Sequence, residues 1–280
     1  MNKIRIVTDS ASDIPQGFKP NVTVLPMTIR FGDTEYQDGV NLTTKQFYEK
    51  LIESDELPTT SQAAPDSFIK EFDKVKEAGD SAVVITISSK LSGTYQSATI
   101  AAEDYENIYV VDSGSAAIGS GILAERALEL ANSGIDAREI AEALNKEKEK
   151  IVIIALLDTL EYLKKGGRIS KTVAFAGAVL NIKPVISVED GEIAILGKAR
   201  GSKMGNNLLV EEIEKSGGVD FEKPVMLGYS GLSDVLLLKY IEDSKYLWEK
   251  GLENIRYTAI GSVIGTHAGP GAIAAAFFKK

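Results

Sequence analysis

Through the first 157 residues, short β-branched runs alternate with longer stretches in which apolar side chains recur at helical spacing. The runs Ile4–Thr8, Ala82–Thr86, Ile108–Val111 and Ile151–Ala155 read as strands. The stretches Thr44–Glu53, Asp66–Glu77, Thr94–Glu103, Ser115–Asn132 and Asp136–Lys148 read as amphipathic helices. Strand and helix in alternation predict βαβ units and a mostly parallel sheet. Pro65 suits a first helical turn, where its missing N–H has no partner to lose.

The pattern then changes in kind. Lys183–Leu196 reads as two strands about Glu189-Asp190-Gly191, and an Asp-Gly pair between apolar runs signals a hairpin. Helices are expected at Lys203–Lys215 and Ser233–Lys250, strands at Pro224–Tyr229 and Ile255–Ser262, and a last helix after Pro270. The expected architecture is therefore two α/β domains, residues 1–157 and 158–280. The first has a mostly parallel sheet with flanking helices, the second a mixed or antiparallel sheet with helices. Nothing resembles a flexible linker, so a cleft between the domains is expected to hold a ligand.

Composition narrows the function. A net charge of −9 disfavours nucleic acid and anionic lipid surfaces, both of which need a surplus of Lys and Arg. The absence of cysteine removes disulfides, thiol nucleophiles and Cys-ligated zinc, which fits a reducing compartment. The start Met1-Asn-Lys-Ile-Arg-Ile-Val-Thr lacks the apolar core of a secretory signal, so the mature chain is expected to begin here, in the cytoplasm. The longest aliphatic run, Ile151–Leu157, falls far short of the roughly 20 residues that span a bilayer, so no stable membrane insertion is expected.

Four segments at element ends carry candidate chemistry. Pro58-Thr59-Thr60-Ser61-Gln62 holds three hydroxyls before the Pro65 helix, more than one cap requires, so a cap and an anion site both fit. Ser88–Ser97, a Ser/Gly-rich turn containing Ser92 and Gly93, follows a strand and opens a helix, and again suits either role. Ser113-Gly114-Ser115 repeats that arrangement. In Leu163–Lys171 the Gly166-Gly167 pair can aim Arg168 at a planar anion, which a guanidinium binds bidentately, with the lysines as rim. Gly261–Gly271 contains the sole histidine, His267, able to donate to a carboxylate or act as a base.

Other motifs fail inspection. Gly119–Ala124 matches the dinucleotide fingerprint by letter but sits too far from its strand, which places it inside a helix. Gly228–Leu232 misses the nucleophile elbow at its fifth position. Zinc is disfavoured with one His and no Cys, although Asp9 and Asp112 at strand ends suit magnesium in a phosphotransfer enzyme. The residues by themselves reach a carboxylate or phosphate site.

Taken in order, Ile6–Ser10, Pro58–Gln62, Ile87–Ser97, Val111–Ser113, Tyr162–Ile169, Ile182–Pro184, Lys198–Gly201 and Ile264–Gly271 resemble the DegV family over essentially the whole chain. That resemblance implies a long-chain fatty acid whose tail runs into one domain and whose carboxylate sits at the cleft. It implies no cofactor, and a fatty-acid kinase partner that phosphorylates the acid for phospholipid synthesis. Carried over by position, the head-group contacts are Thr60, Ser92, Arg168 and His267, with Ser61 and Gly93 beside them. Ala11, Ala64 and Ala174 stand where related sequences vary, and Ala116-Ala117-Ile118 bears on the shape of the slot. The competing reading is a hydrolase or phosphotransferase, using Ser92 and His267 as nucleophile and base or Asp9 and Asp112 on magnesium. A third is a regulatory module whose bound ligand only signals occupancy.

Overall fold

The computed structural model describes residues 3–18, 21–169, 182–249, 251 and 256–280. Met1, Ser170, Lys171, Ala174, Lys250 and Ile255, which figure in the sequence reading, lie outside the described residues.

Strands β1 (Ile4–Asp9), β2 (Val22–Leu25), β6 (Ser81–Thr86) and β7 (Ile108–Asp112) form a wholly parallel sheet in the order β2-β1-β6-β7. Their β-branched runs are buried on both faces, as a parallel sheet between helices requires. Helices α1 (Thr44–Glu53), α2 (Pro65–Glu77), α3 (Thr94–Ala102), α4 (Ile118–Asn132) and α5 (Ala137–Glu147) match the periodic stretches closely. Side-chain caps fix the starts of two of them. Thr43 and Gln46 form a reciprocal capping box for α1, and Asp136 caps α5 by accepting from the Glu139 N–H at 2.9 Å.

A six-stranded mixed sheet has the order β10-β9-β8-β13-β11-β12. Its strands are β8 (Ile151–Leu156), β9 (Ile182–Glu189), β10 (Glu192–Arg200), β11 (Met226–Tyr229), β12 (Tyr257–Ala259) and β13 (Ile273–Phe278). The expected hairpin is β9–β10, turning through Asp190 (φ 49°) and Gly191 (φ 81°), the paired positive angles of a tight hairpin. Helices α6 (Glu161–Lys165), α7 (Gly201–Lys215), α8 (Val235–Asp243), α9 (Lys245–Trp248) and α10 (Ser262–Ala268) complete this half. Helix α4 packs against strands of both sheets and is buried over most of its circumference. Its Gly119-Ser120-Gly121 serves packing: a Cβ at Gly121 would lie 2.5 Å from the Ser12 carbonyl oxygen.

Four expectations change. Ile151–Leu156 is not a strand of the parallel sheet; it pairs antiparallel with β9 and β13, so the six-stranded sheet begins ahead of residue 157. The segment after Pro270 is a strand rather than a helix. Ile-Ala-Ala-Ala-Phe-Phe has helical propensity, but all six residues are buried in the middle of a sheet, and tertiary burial overrides propensity. The helix expected over Ser233–Lys250 is interrupted at Ser244, whose hydroxyl bonds back to the Tyr240 carbonyl at 2.6 Å. The strand expected over Ile255–Ser262 shortens to β12, and α10 takes up the segment with His267.

A third, antiparallel sheet joins β3 (Thr28–Phe31), β4 (Thr34–Gln37) and β5 (Thr59–Ser61) in the order β4-β3-β5. The three hydroxyls before Pro65 therefore lie in a strand and cap nothing; α2 starts at Ala64 with no side-chain cap.

At the start of α4, Ala117 has φ 51° and ψ −141°, a region costing a non-glycine residue about 1–3 kcal/mol. We expect Ala117→Gly to leave the urea midpoint unchanged or raise it. Ala127→Gly, fully buried within the same helix, should cost about 1 kcal/mol.

Candidate functional site

The ends of β5 and β6, the turn into α4, and strands β8, β9 and β13 enclose an apolar slot between the two large sheets, with about 960 Å³ of atom-free space including its mouth. Ile153, Ala155, Ile186 and Ala274 line it from the six-stranded sheet, and Ile87, Ala116 and Ala117 from the connections that leave β6 and β7 of the parallel one. Thr60, Ser61, Gln62, Ser92, Arg168 and His267 line it as well, bringing the first, second, third and fourth candidate segments onto one cavity.

Each polar residue is held by its element. Thr60 sits on β5, paired with Ile29 of β3, and its Oγ1 lies 2.9 Å from Nε2 of His267 on α10. The imidazole packs against Gly166: a Cβ there would lie 2.2 Å from Nδ1. This close approach, as much as the turn at Gly167 (φ 69°), explains the glycine pair before Arg168. Arg168 donates from Nε to the Leu91 carbonyl at 3.1 Å and from Nη1 to the Gly166 carbonyl at 2.7 Å, which ties the third segment to the second. Ser92 Oγ lies 2.9 Å from Thr94 Oγ1, and Thr94 accepts at 3.3 Å from the N–H of Ala63, the residue directly after the first segment.

Ser61 is an exposed residue on the slot wall. Gly93 borders a shallow polar depression outside the slot, which Ser92, Arg168 and Glu192 also line. A Cβ at Gly93 would lie 2.0 Å from Gln62 Oε1, so this glycine lets the Gln62 amide cross to Ser97, to which it donates at 2.7 Å. Gln62 and the buried Thr94 were not singled out from sequence, although both lie inside segments that were. The aliphatic lining had no local signal, because core and slot positions share one hydrophobic pattern.

The electrostatics favour an anion. Burial, reinforced by the Arg168 charge, pushes the His267 pKa down from 6.5 to about 4, so at neutral pH the imidazole is uncharged and Arg168 supplies the positive charge. Below pH 6.5 an unfolded chain takes up a proton that the folded imidazole refuses. The stability contributed here is thus complete above about pH 6.5 and is lost as pH falls through about 4.

The enzyme constellations are not assembled among the described residues. His267 meets Thr60 and Ser92 meets Thr94, and among the described residues Nδ1 of His267 has no acceptor to orient it as a general base. Asp9 is fully buried, its two oxygens accepting from the Ala11 N–H at 3.0 Å and the Ile87 N–H at 2.8 Å; burial raises its pKa to about 6. Asp112 accepts from the Ser89 and Gly114 N–H groups. Both carboxylates fasten loops at strand ends. Among the described residues there is no cluster of three or more metal-ligating side chains, and no helix long and apolar enough to cross a membrane.

Comparison with known proteins gives one family. A model described as "uncharacterised protein, DegV family" matches residues 3–280. A DegV domain-containing protein of Caldanaerobacter subterraneus is 36% identical over 287 residues, covering 100% of both chains. One of Clostridium perfringens is 32% identical over 274 residues, covering 96% of each. Among solved structures, a DegV family protein of Thermus thermophilus described as fatty-acid binding has a TM-score of 0.87 at 29% identity, covering 99% of each chain. A stearic-acid-binding protein of Eubacterium ventriosum has a TM-score of 0.88 at 28% identity, covering 100% of this chain and 99% of its own.

Proposed function

Because the chain belongs to the DegV family, we propose that it binds a long-chain fatty acid, the tail in the apolar slot and the carboxylate among Thr60, Ser61, Ser92, Arg168 and His267, with Gly93 at the outer rim. The observation that carries this reading is the gathering of these polar groups on one otherwise aliphatic cavity. A carboxylate removed from water needs paired donors, and a guanidinium with hydroxyls and an imidazole supplies them. The solved relatives described as binding fatty acids support it.

The protein works as a carrier rather than a catalyst in this reading, with the competing hydrolase left without a base–nucleophile contact. Arg168 and Ser92 border both the slot and the outer depression, so the bound head group sits where a partner can reach it. That position suits a cytoplasmic fatty-acid kinase acting on the carboxylate, the acyl phosphate then serving phospholipid synthesis. We place the division between the two domains where the chain leaves the parallel sheet for β8, a few residues ahead of 157.

Solvent extraction of the purified protein followed by mass spectrometry should release long-chain fatty acid in near-stoichiometric amount. Finding none, together with no uptake by delipidated protein, sinks the proposal. The kinase clause is separate and needs acyl phosphate to form when fatty-acid kinase and ATP are added.

His267 gives a second check, since it is the sole histidine and its imidazole NMR signals are unambiguous. Its midpoint should lie near 4 in delipidated protein and rise when fatty acid binds, because an adjacent carboxylate favours the imidazolium. A midpoint indifferent to the ligand removes His267 from the head-group contacts.

A further inference from the structure

Helix α10 enters the site from a set of contacts that the head group does not use. Gly261, the residue before it, donates its N–H to Asp13 Oδ1 at 2.7 Å. The Asp38 carboxyl faces the hydroxyls of Ser262 and Ser10 and the N–H groups of Ser262 and Val263. The Tyr48 hydroxyl donates to the Ile260 carbonyl at 3.1 Å. Three side chains from the first fifty residues thus converge on residues 260–263, more than two hundred positions away in sequence.

The arrangement is costly, which argues that it serves a purpose. Asp13 and Asp38 are only 8% and 7% exposed, and both come within 3.5 Å of the point where a Cβ on Gly261 would sit. Asp13 adopts φ 49°, a left-handed conformation that few residues other than glycine take up readily. Two carboxylates crowded together out of water exceed what the start of a two-turn helix needs, since one exposed Ser or Asp would cap it. From this end, Val263, Ile264 and His267 all face the slot on one short helix. Thr266 braces that helix by donating to the Ser262 carbonyl at 2.9 Å. A shift at Gly261 is therefore carried to the imidazole, and polar sites tolerate only about 0.5 Å of such error.

We propose that Asp13 and Asp38 are positioning residues, a buried carboxylate clasp on the start of α10 that holds the His267 imidazole against Thr60. Its effect on ligand affinity rests on the fatty-acid reading; its effect on the imidazole does not. The clasp works through acceptor geometry. Asparagine at either position keeps an oxygen for the same N–H groups, whereas alanine removes it.

The test uses the full chain, delipidated, with palmitate and hexadecanol as probes that share a tail and differ in the head. Asp13→Ala and Asp38→Ala should each weaken palmitate about 10-fold while changing hexadecanol by less than about 2-fold, because a charged head group loses its aligned partners and the tail loses nothing. In ligand-free protein the His267 midpoint should move from about 4 back toward 6.5 as the imidazole loses its fixed burial. Asp13→Asn and Asp38→Asn should restore both readings. Should the alanine variants not fold, Gly261→Ala pries the clasp apart, its Cβ arriving 2.8 Å from Asp13 Oδ1, and is read the same way.

A His267 midpoint unmoved in the alanine variants overturns the clasp, as do equal losses for palmitate and hexadecanol or asparagine variants that behave like alanine. If the unaltered chain binds neither probe, the fatty-acid reading fails by itself and the imidazole titration still decides the clasp.

Discussion

Arg168→Ala should lower the affinity for a long-chain fatty acid about a hundredfold, because a buried carboxylate loses the only full positive charge among the slot-lining residues named above. Hydroxyls and a neutral imidazole remain, but none of them offsets the charge. The substitution also cuts the ties to the Leu91 and Gly166 carbonyls, so the second and third segments lose their direct link. Arg168→Lys should fall in between: an ammonium keeps the charge and loses the planar fork that bridges two carbonyls and a carboxylate together. Calorimetric titration of delipidated protein checks the order arginine, lysine, alanine. Equal affinities for all three would falsify the placement of the carboxylate beside Arg168.

Head and tail divide the work unequally. Burying about 14 methylenes gives roughly 10 kcal/mol before ordering costs, several times what one charge-assisted contact contributes. On the fatty-acid reading a variant without Arg168 should therefore still bind, and what it should lose most is the fixed direction of the ligand. On the proposed carrier reading orientation matters, because the carboxylate has to reach the depression outside the slot.

The polar half of the site was legible in the sequence and the apolar half was not. Hydroxyls, glycines, an arginine and a lone histidine at element ends are unusual where they stand, and residues marked for that reason converge on one cavity. Ile153 and Ala274 look like core residues because locally they are; only the pairing of β8 with β13 turns one edge of that core into a slot wall. The same pairing limits how much of the fold was readable. Helices α1, α2 and α5 carry their period along the chain, whereas the place of β8 in a sheet depends on partners up to 127 residues away. Strand β13 has neither alternation nor β-branched character beyond Ile273 and so reads as a helix. The clasp on α10 was equally hidden, since Asp13 and Asp38 resemble ordinary turn residues until the fold sets them beside Gly261.

Phe277→Ala should destabilise the protein by about 3–5 kcal/mol, the usual cost of emptying a fully buried aromatic site. Strand β13 is flanked by β8 and β11, and its residues alternate between two cores. Ile273, Ala275 and Phe277 pack into the cluster with Leu209, Tyr240 and Trp248, while Ala274, Ala276 and Phe278 face the cluster containing α4. With alanines at 274–276, the two phenylalanines supply most of the strand's side-chain volume, and neighbours on a central strand have little room to collapse into the gap. Slot residue Ala274 lies on the opposite face, and Ile273, the slot residue on the same face, is four positions away at the other end of the strand, so the folded fraction should bind fatty acid much as the unaltered chain does. Saturating ligand should then recover part of the loss, about 2.7 kcal/mol at a hundredfold excess over Kd. Urea unfolding with and without fatty acid measures both quantities. A cost below about 1 kcal/mol would mean that residue 277 is not in a close-packed core, and ligand binding lost along with stability would mean that the two faces of β13 are not independent.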